Sequence, residues 1–391
     1  MKSFTLSQTP RLFFGAGEAG KLTGLIRKFG RSILLVTGAK SFEASSFATR
    51  FYAEAAANSL GVSRYTVSEE PTPEMIDVIV TSAADKRVDV VVAIGGGSVL
   101  DAGKAISAMI PLREAVKTYL EGVGSGIHPG TKVPFIAVPT TSGTGSEATK
   151  NAVLSEVGEH GFKRSLRHDN FIPNVAVIDP LLITSCPPSV TATSGIDAFT
   201  QLLESYVSTG ASPITDALCV EGLTRVRDSL QLAYQQPDNI EARSGMALAA
   251  YLSGITLANA GLGLVHGYAS SVGGRFPIAH GVICSSLMYA CNTLTIDKLT
   301  KTNSNPEALA KFAHVGKIFA RSESKSDQYY HDFLVNFLGE LREALKIPAL
   351  ADVGVPEGLL EQIAEVTDNK LNPVRLDSEE RTEILKMAMR N

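Results

Sequence analysis

The chain has 391 residues, of which 44% are hydrophobic and 19% charged, enough apolar material for two domains and too much for a disordered chain. Thirty-six Lys and Arg against 40 Asp and Glu leave a net charge of −4, which gives no electrostatic drive towards nucleic acid or an anionic membrane. The four cysteines (Cys186, Cys219, Cys284, Cys291) include no CxxC pair, so a disulfide framework and a zinc knuckle are excluded and reduced, cytoplasmic thiols are expected.

The N-terminus, MKSFTLSQTPR, has no apolar core, so no secretory signal is expected. The first half then alternates. Apolar, β-branched runs predict strands at 32–37, 88–94, 135–138 and 175–178, each buried on both faces. Helical spacing predicts helices at 73–86 and 98–109, the second with Ser98 as its cap. This alternation specifies an α/β domain with a mainly parallel, Rossmann-like sheet over residues 1–183. Pro180, Pro187 and Pro188 punctuate a connector. Helical patterns at 197–207, 216–232, 241–257, 306–320 and 328–345 then predict an all-α domain over residues 184–391. No charge occurs between Arg243 and Arg275, but Ser253, Thr256, Asn259 and several glycines dilute the hydropathy there. A buried core helix is expected rather than a membrane span. A cleft between two such domains is a natural ligand site.

Three glycine clusters compete for a nucleotide. Gly15–Gly20 spells GxGxxG, but it follows a poor strand, and the next strand ends at Gly38 without a carboxylate. A tight turn leading into a helix is the better reading. Gly95, Gly96, Gly97 and Ser98 follow a strong strand and open a helix carrying Asp101 and Lys104. Consecutive backbone N–H groups at a helix N-terminus suit a pyrophosphate. The third cluster, Pro139 to Glu147, follows another strand and is dense in hydroxyls; a solvated loop is its plainer reading.

His266 (GLVHG) and His280 (PIAHG) lie in the uncharged helical region, where a buried imidazole needs a partner and a metal is one. Gly273, Gly274 and Pro277 separate them, so they come from two elements. Asp197 follows Ser194-Gly195-Ile196 at a predicted helix start, where it could cap the helix or bind a metal. Gln201, four residues on, shares its face.

Together, GGGS after a strand, PTTSGTGSE, VAVIDP, SGIDA and GLGLVHG with a histidine 14 residues further on resemble the iron-containing (group III) alcohol dehydrogenases, of dehydroquinate synthase-like fold. The resemblance covers nearly the whole chain. It implies Fe(II), or sometimes Zn(II), bound by one Asp and three His. Asp197, His266 and His280 match three of these ligands; the fourth falls on Gln201, whose carbonyl is a weaker donor. A second family histidine, four residues after the position of His266, is Ser270 here. The resemblance also places Gly96, Gly97, Ser98 and Asp101 at the pyrophosphate and Thr140, Thr141 and Thr144 beside the nucleotide. Lys163 falls near the ribose, and Thr149 and Asn151 face the nicotinamide.

The implied activity is hydride transfer between a primary alcohol or aldehyde and NAD(P), with the metal as Lewis acid. Asp197, His266 and His280 are then the catalytic centre, in a homo-oligomer with no membrane or nucleic-acid partner. Family members that prefer NAD often carry Asp after the second strand. Gly38 offers none and Lys40 is near, so NADP(H) is expected to be accepted at least as well as NAD(H). Two alternatives remain: an oxo-acid (maleylacetate-type) reductase, for which Arg275 and Lys150 are the obvious cations, and a nucleotide-binding protein whose metal site decayed at Gln201.

Overall fold

Apolar segments of the first half build one parallel sheet in the computed structural model, which describes residues 3–390. Its strands are β1 (Arg11–Phe14), β2 (Ser32–Gly38), β3 (Gly61–Val67), β4 (Val90–Gly95), β5 (Phe135–Pro139) and β8 (Val175–Ile178), in the order β1-β8-β5-β4-β2-β3. The Val/Ile run of β4 is buried along its whole length, as a strand covered on both faces must be. Among the helices that cover the sheet are α1 (Leu22–Ile26), α2 (Ser46–Ala57), α3 (Pro73–Ser82) and α4 (Gly97–Met109). Thr72 caps α3, its hydroxyl accepting from the Met75 N–H, and Pro73 fills the first helical position.

Three strands were not visible in the hydropathy. The strand β3 (GVSRYTV) is an edge strand with polar residues and no continuous apolar run. β6 (Asn151–Glu156) and β7 (Phe162–Arg167) form a separate antiparallel hairpin. β1 is the opposite edge and pairs only with β8. The GxGxxG run after it is a turn, as expected. Gly17 adopts φ +86°, and Glu18–Lys21 form a single 3₁₀ turn. Asp179 holds this turn by accepting from the Gly17 N–H at 3.1 Å and the Ala19 N–H at 3.0 Å.

The strand order reverses at β2, whose neighbours are β3 and β4. Connections leave this point in opposite directions, which opens a crevice at the C-terminal strand ends. Register pairs Thr37 with Ile94, so Gly38 and Gly95 end side by side there.

The second half is helical throughout among the described residues: α5 (Pro188–Val207), α6 (Pro213–Gln235), α7 (Ile240–Ala260), α8 (Leu264–Gly273), α9 (His280–Thr302), α10 (Pro306–Ala320), α11 (Asp327–Ala344), α12 (Leu360–Val366) and α13 (Ser378–Ala388). The uncharged stretch after Arg243 becomes α7 and α8, bent by 96° across Gly261, and most of its residues are buried. No single helix among the described residues is long and apolar enough to cross a membrane. The halves meet through glycines. Gly145, in the loop after β5, has φ +61°, and a Cβ on Gly254 of α7 would stand 2.2 Å from the Gly145 carbonyl oxygen. Only two glycines allow this loop to lie against α7.

Candidate active site

The turn from β4 into α4 builds one wall. Gly96 is the N-cap, with no side chain capping the helix; Ser98 lies inside the first turn and is not the cap. The first N–H groups of this 13-residue helix are therefore left for a ligand. A Cβ on Gly97 would meet Thr144 at 2.6 Å, so Thr144 and not only a ligand requires glycine there. A Cβ on Gly96 would sit 3.4 Å from Thr141, an acceptable contact.

Behind this wall a buried lysine ties α4 to the loop and the hairpin. Lys104 Nζ donates to the Ser146 carbonyl at 2.8 Å, to Thr149 Oγ1 at 2.8 Å and to the Asn151 carbonyl at 2.7 Å. Burial pushes its amine down to about 8, against the pull of Asp101 and Glu147. Burial likewise pushes Glu147 up to about 7 and raises Asp101. Both Asp101 oxygens are already used, one by Ser146 Oγ at 2.5 Å and one by the Val153 N–H at 3.1 Å. Asp101 thus braces the wall. Lys163, on β7, points to Glu70, its Nζ 2.5 and 2.6 Å from the two carboxylate oxygens. Burial opposes ionisation of Glu70, but Lys163 draws its carboxyl below the usual range.

The opposite wall is helical. Asp197 lies in the interior of α5, which begins at Pro188, and so is not a helix cap. His266 comes from the first turn of α8 and His280 opens α9. His266 Nε2 stands 3.3 Å from Asp197 Oδ1, and His280 Nε2 stands 3.7 Å from the same oxygen. Glu204, two turns beyond Asp197, accepts from His266 Nδ1 at 2.7 Å and from the Val265 N–H at 2.7 Å. With Nδ1–H given to Glu204, Nε2 is the nitrogen turned to the cluster, the usual support of a metal-ligating histidine. Cys284 Sγ lies 3.8 Å from His266 Nε2 and 3.7 Å from His280 Nε2.

Charges follow this packing. Burial works against charge on His266, but Cys284, Glu204 and Asp197 outweigh it and raise its pKa well above the usual value. Burial pushes His280 down to about 4 and the Cys284 thiol up to about 12. Burial also opposes ionisation of Asp197, yet the two imidazoles hold its carboxyl below the usual range. Asp197 Oδ1 is buried with no hydrogen-bond partner, an orphan that a divalent cation would satisfy. The residues present therefore fit a metal. Gln201 is turned differently from the expectation: its amide N–H donates to Asp197 Oδ2 at 3.1 Å and its carbonyl accepts from Ser253 Oγ at 2.8 Å. Its oxygen is directed away from the cluster.

Between the walls lies a cleft of about 330 Å³. Gly97, Ser98, Asp101, Thr144, Thr149, Lys163, Gln201, His266 and His280 all line it, and Asn151 and Ser270 join them. Asp197 is not in the lining but is buried against His266 and His280, which are. Gly38, Gly96, Thr140 and Thr141 lie outside the lining, at or just beyond the C-terminal ends of the neighbouring strands β2, β4 and β5. The sequence reading missed Cys284, Glu204, Glu70 and Ser253. The spacings from His280 to Cys284 and from Asp197 to Glu204 were legible as one and two helical turns, but nothing in them marked a partner.

A glycine-led strand–helix turn thus faces a buried Asp/His cluster across one cleft, the arrangement of an enzyme that sets a glycine loop against ionisable side chains. The family is then specific. The model described as iron-containing alcohol dehydrogenase matches residues 9–180, and that described as Fe-containing alcohol dehydrogenase family, C-terminal matches residues 191–389. The chain belongs to this family and is an alcohol dehydrogenase. It is 30% identical over 387 residues to alcohol dehydrogenase 4 of Saccharomyces cerevisiae, covering 97% of both chains. It is 31% identical over 299 residues to the NAD-dependent methanol dehydrogenase of Bacillus methanolicus, covering 75% of each. The solved structure of an alcohol dehydrogenase from Oenococcus oeni superposes with a TM-score of 0.85 at 28% identity, over 99% of this chain and 100% of the other.

Proposed function

We propose that this alcohol dehydrogenase uses NAD(P) and a divalent metal, Fe(II) or Zn(II), held by Asp197, His266 and His280. The orphaned Asp197 Oδ1, buried between two imidazole nitrogens, carries this reading. When bound, the metal supplies Lewis-acid polarisation of the substrate oxygen. The rest is positioning by the chain. Glu204 fixes the His266 ring, and the α4 N-terminus receives the pyrophosphate. Thr144 and Thr149 flank the nicotinamide end of the cleft. Ser270, whose hydroxyl donates to the His266 carbonyl at 3.1 Å, is the hydroxyl beside His266 on the cleft wall able to hold a substrate proton. With a domain boundary near residue 183, the glycine turn falls in the first domain and the cation cluster in the second. Four unpaired, buried cysteines support a reducing, cytoplasmic setting, and we expect a homo-oligomer there. His266→Ala should lower both metal retention and turnover by roughly 100-fold or more. If both are unchanged, the metal is elsewhere.

A second reading, a substrate that carries an anionic group, is favoured by one observation. Arg275 and Lys150 do not face the cleft; Lys150 pairs with Asp169 at 2.7 Å, and Arg275 bonds Gln362 at 3.2 Å. Arg167 and Lys370 do line it. Arg167 pairs with Glu121 at 3.0 Å, whereas Lys370 forms no ion pair among the described residues. Lys370→Met should lower kcat/KM for a short oxo-acid by roughly tenfold and leave an uncharged aldehyde of equal length within a few-fold. Equal effects on both substrates would remove this reading.

A further inference from the structure

We propose that Cys284 is the fourth protein ligand of the metal, in the place that Gln201 leaves open, and that its sulfur biases the site towards Zn(II). The inference rests on the metal site proposed above. Cys284 stands one turn after His280 on α9, so both side chains project to the same side. Its Sγ is 3.7 Å from His280 Nε2 and 3.8 Å from His266 Nε2. Metal–nitrogen bonds of about 2.0–2.1 Å and a metal–sulfur bond of about 2.3 Å in a tetrahedron place neighbouring ligand atoms about 3.3–3.6 Å apart. Four of the six edges are 3.3, 3.7, 3.7 and 3.8 Å, those of such a tetrahedron opened slightly, which leaves room for the substrate oxygen as a fifth ligand. The four donor atoms all lie within 4.8 Å of one another.

Gln201 cannot complete this set as it is placed. Its N–H is given to Asp197 and its carbonyl to Ser253. Rotating the amide would set its oxygen against the Asp197 carboxylate. A buried thiol is often no more than packing, and Cys284 does sit in the apolar cluster of α8 and α9. Packing alone does not explain a sulfur equidistant from two imidazole nitrogens beside an unpartnered carboxylate oxygen. On binding, the thiol proton leaves to solvent as the metal–sulfur bond forms, and nothing is oxidised. Asp and Cys then bring two negative charges to a divalent cation, with two neutral imidazoles. Thiolate is a soft donor that favours Zn(II) over Fe(II).

The test uses the full-length protein stripped with chelator and reloaded with Co(II). Wild type should bind one Co(II) per chain and show a near-ultraviolet thiolate-to-cobalt charge-transfer band. Cys284→Ser, with its fold checked by circular dichroism, should keep Co(II) at roughly tenfold or more weaker affinity and lose the band. Its preference for Zn(II) over Fe(II) in competition should narrow by a similar factor. One Co(II) per chain with no thiolate band in wild type, or the same band in Cys284→Ser, overturns the assignment while leaving the metal site standing. If Cys284→Ser does not fold, the wild-type spectrum and Cys284→Ala decide by the same criteria. Failure of wild type to bind Co(II), with His266→Ala indistinguishable from it, would overturn the metal site and this ligand together.

Discussion

In the proposed metal site, Gln201 lies beside the donor cluster without turning its carbonyl oxygen to it. Gln201→His would put an imidazole one helical turn from Asp197, on the same face of α5. It would also remove the Gln201 acceptor of Ser253 Oγ, whose single proton then goes to the Ala250 carbonyl at 2.8 Å, and the N–H bond to Asp197. The stability cost is then about 1 kcal/mol, the scale of one lost hydrogen bond. Metal remaining after dialysis against chelator should rise by roughly tenfold or more. No change in metal content would place residue 201 outside the coordination sphere altogether. At this scale the sequence exposed His266 and His280 because imidazoles stand out in apolar helical segments, and Asp197 because a carboxylate follows a glycine at a predicted helix start. It hid Cys284 and Glu204. A cysteine in an apolar helix and a glutamate on a helix face are ordinary residues until three helices bring them to one point.

Among elements, the two glycine turns look alike in sequence and differ in the segments they lead into. The turn after β1 enters a 3₁₀ turn already capped by Asp179, so its N–H groups are taken. The turn after β4 enters α4 with its N–H groups unclaimed by any side chain. Gly17→Ala has open space around it but forces φ +86° on a residue with a Cβ, a cost of about 1 kcal/mol in stability. Cofactor affinity should stay within a few-fold. Gly96→Ala, 3.4 Å from Thr141, should fold normally and weaken cofactor binding by roughly tenfold or more, since the methyl would stand at the proposed pyrophosphate site. Gly97→Ala is the poorer probe, because Thr144 is struck first. Calorimetric titration of both variants with NAD(P) distinguishes the turns, and the reverse pattern would move the nucleotide to residues 15–20. The strong turn was legible because a β-branched run, three glycines and an amphipathic helix agree. The hairpin was not. Lys163, Arg164 and Arg167 make β7 too charged to read as a strand, and Lys163 finds its partner only when the fold brings Glu70 to it.

Across the whole molecule, the proposed cofactor path runs from the reversal point of the sheet to the helical wall, with Gly38 at its distal end. Two cationic side chains lie near this end. Lys40 is exposed, whereas Arg64 of β3 donates to Thr37 Oγ1 at 2.9 Å and pairs with Glu43 at 2.7 Å. A guanidinium and a carboxylate therefore stand together at this end of the crevice, a balance that admits a 2′-phosphate without requiring one. Gly38 itself has room for a side chain: a Cβ would meet only Ser41 Oγ, at 3.4 Å. Gly38→Asp should fold, draw Arg64 towards the new carboxylate and leave a 2′-phosphate facing a negative charge. Wild type is expected to use NADP(H) at least as well as NAD(H), and the variant to shift the kcat/KM ratio towards NAD(H) by roughly ten- to a hundredfold. Arg64→Ala should lower use of NADP(H) alone. A wild type strongly selective for NAD(H), with neither substitution altering the ratio, would show that the adenosine end of the cofactor does not reach the edge formed by β2 and β3.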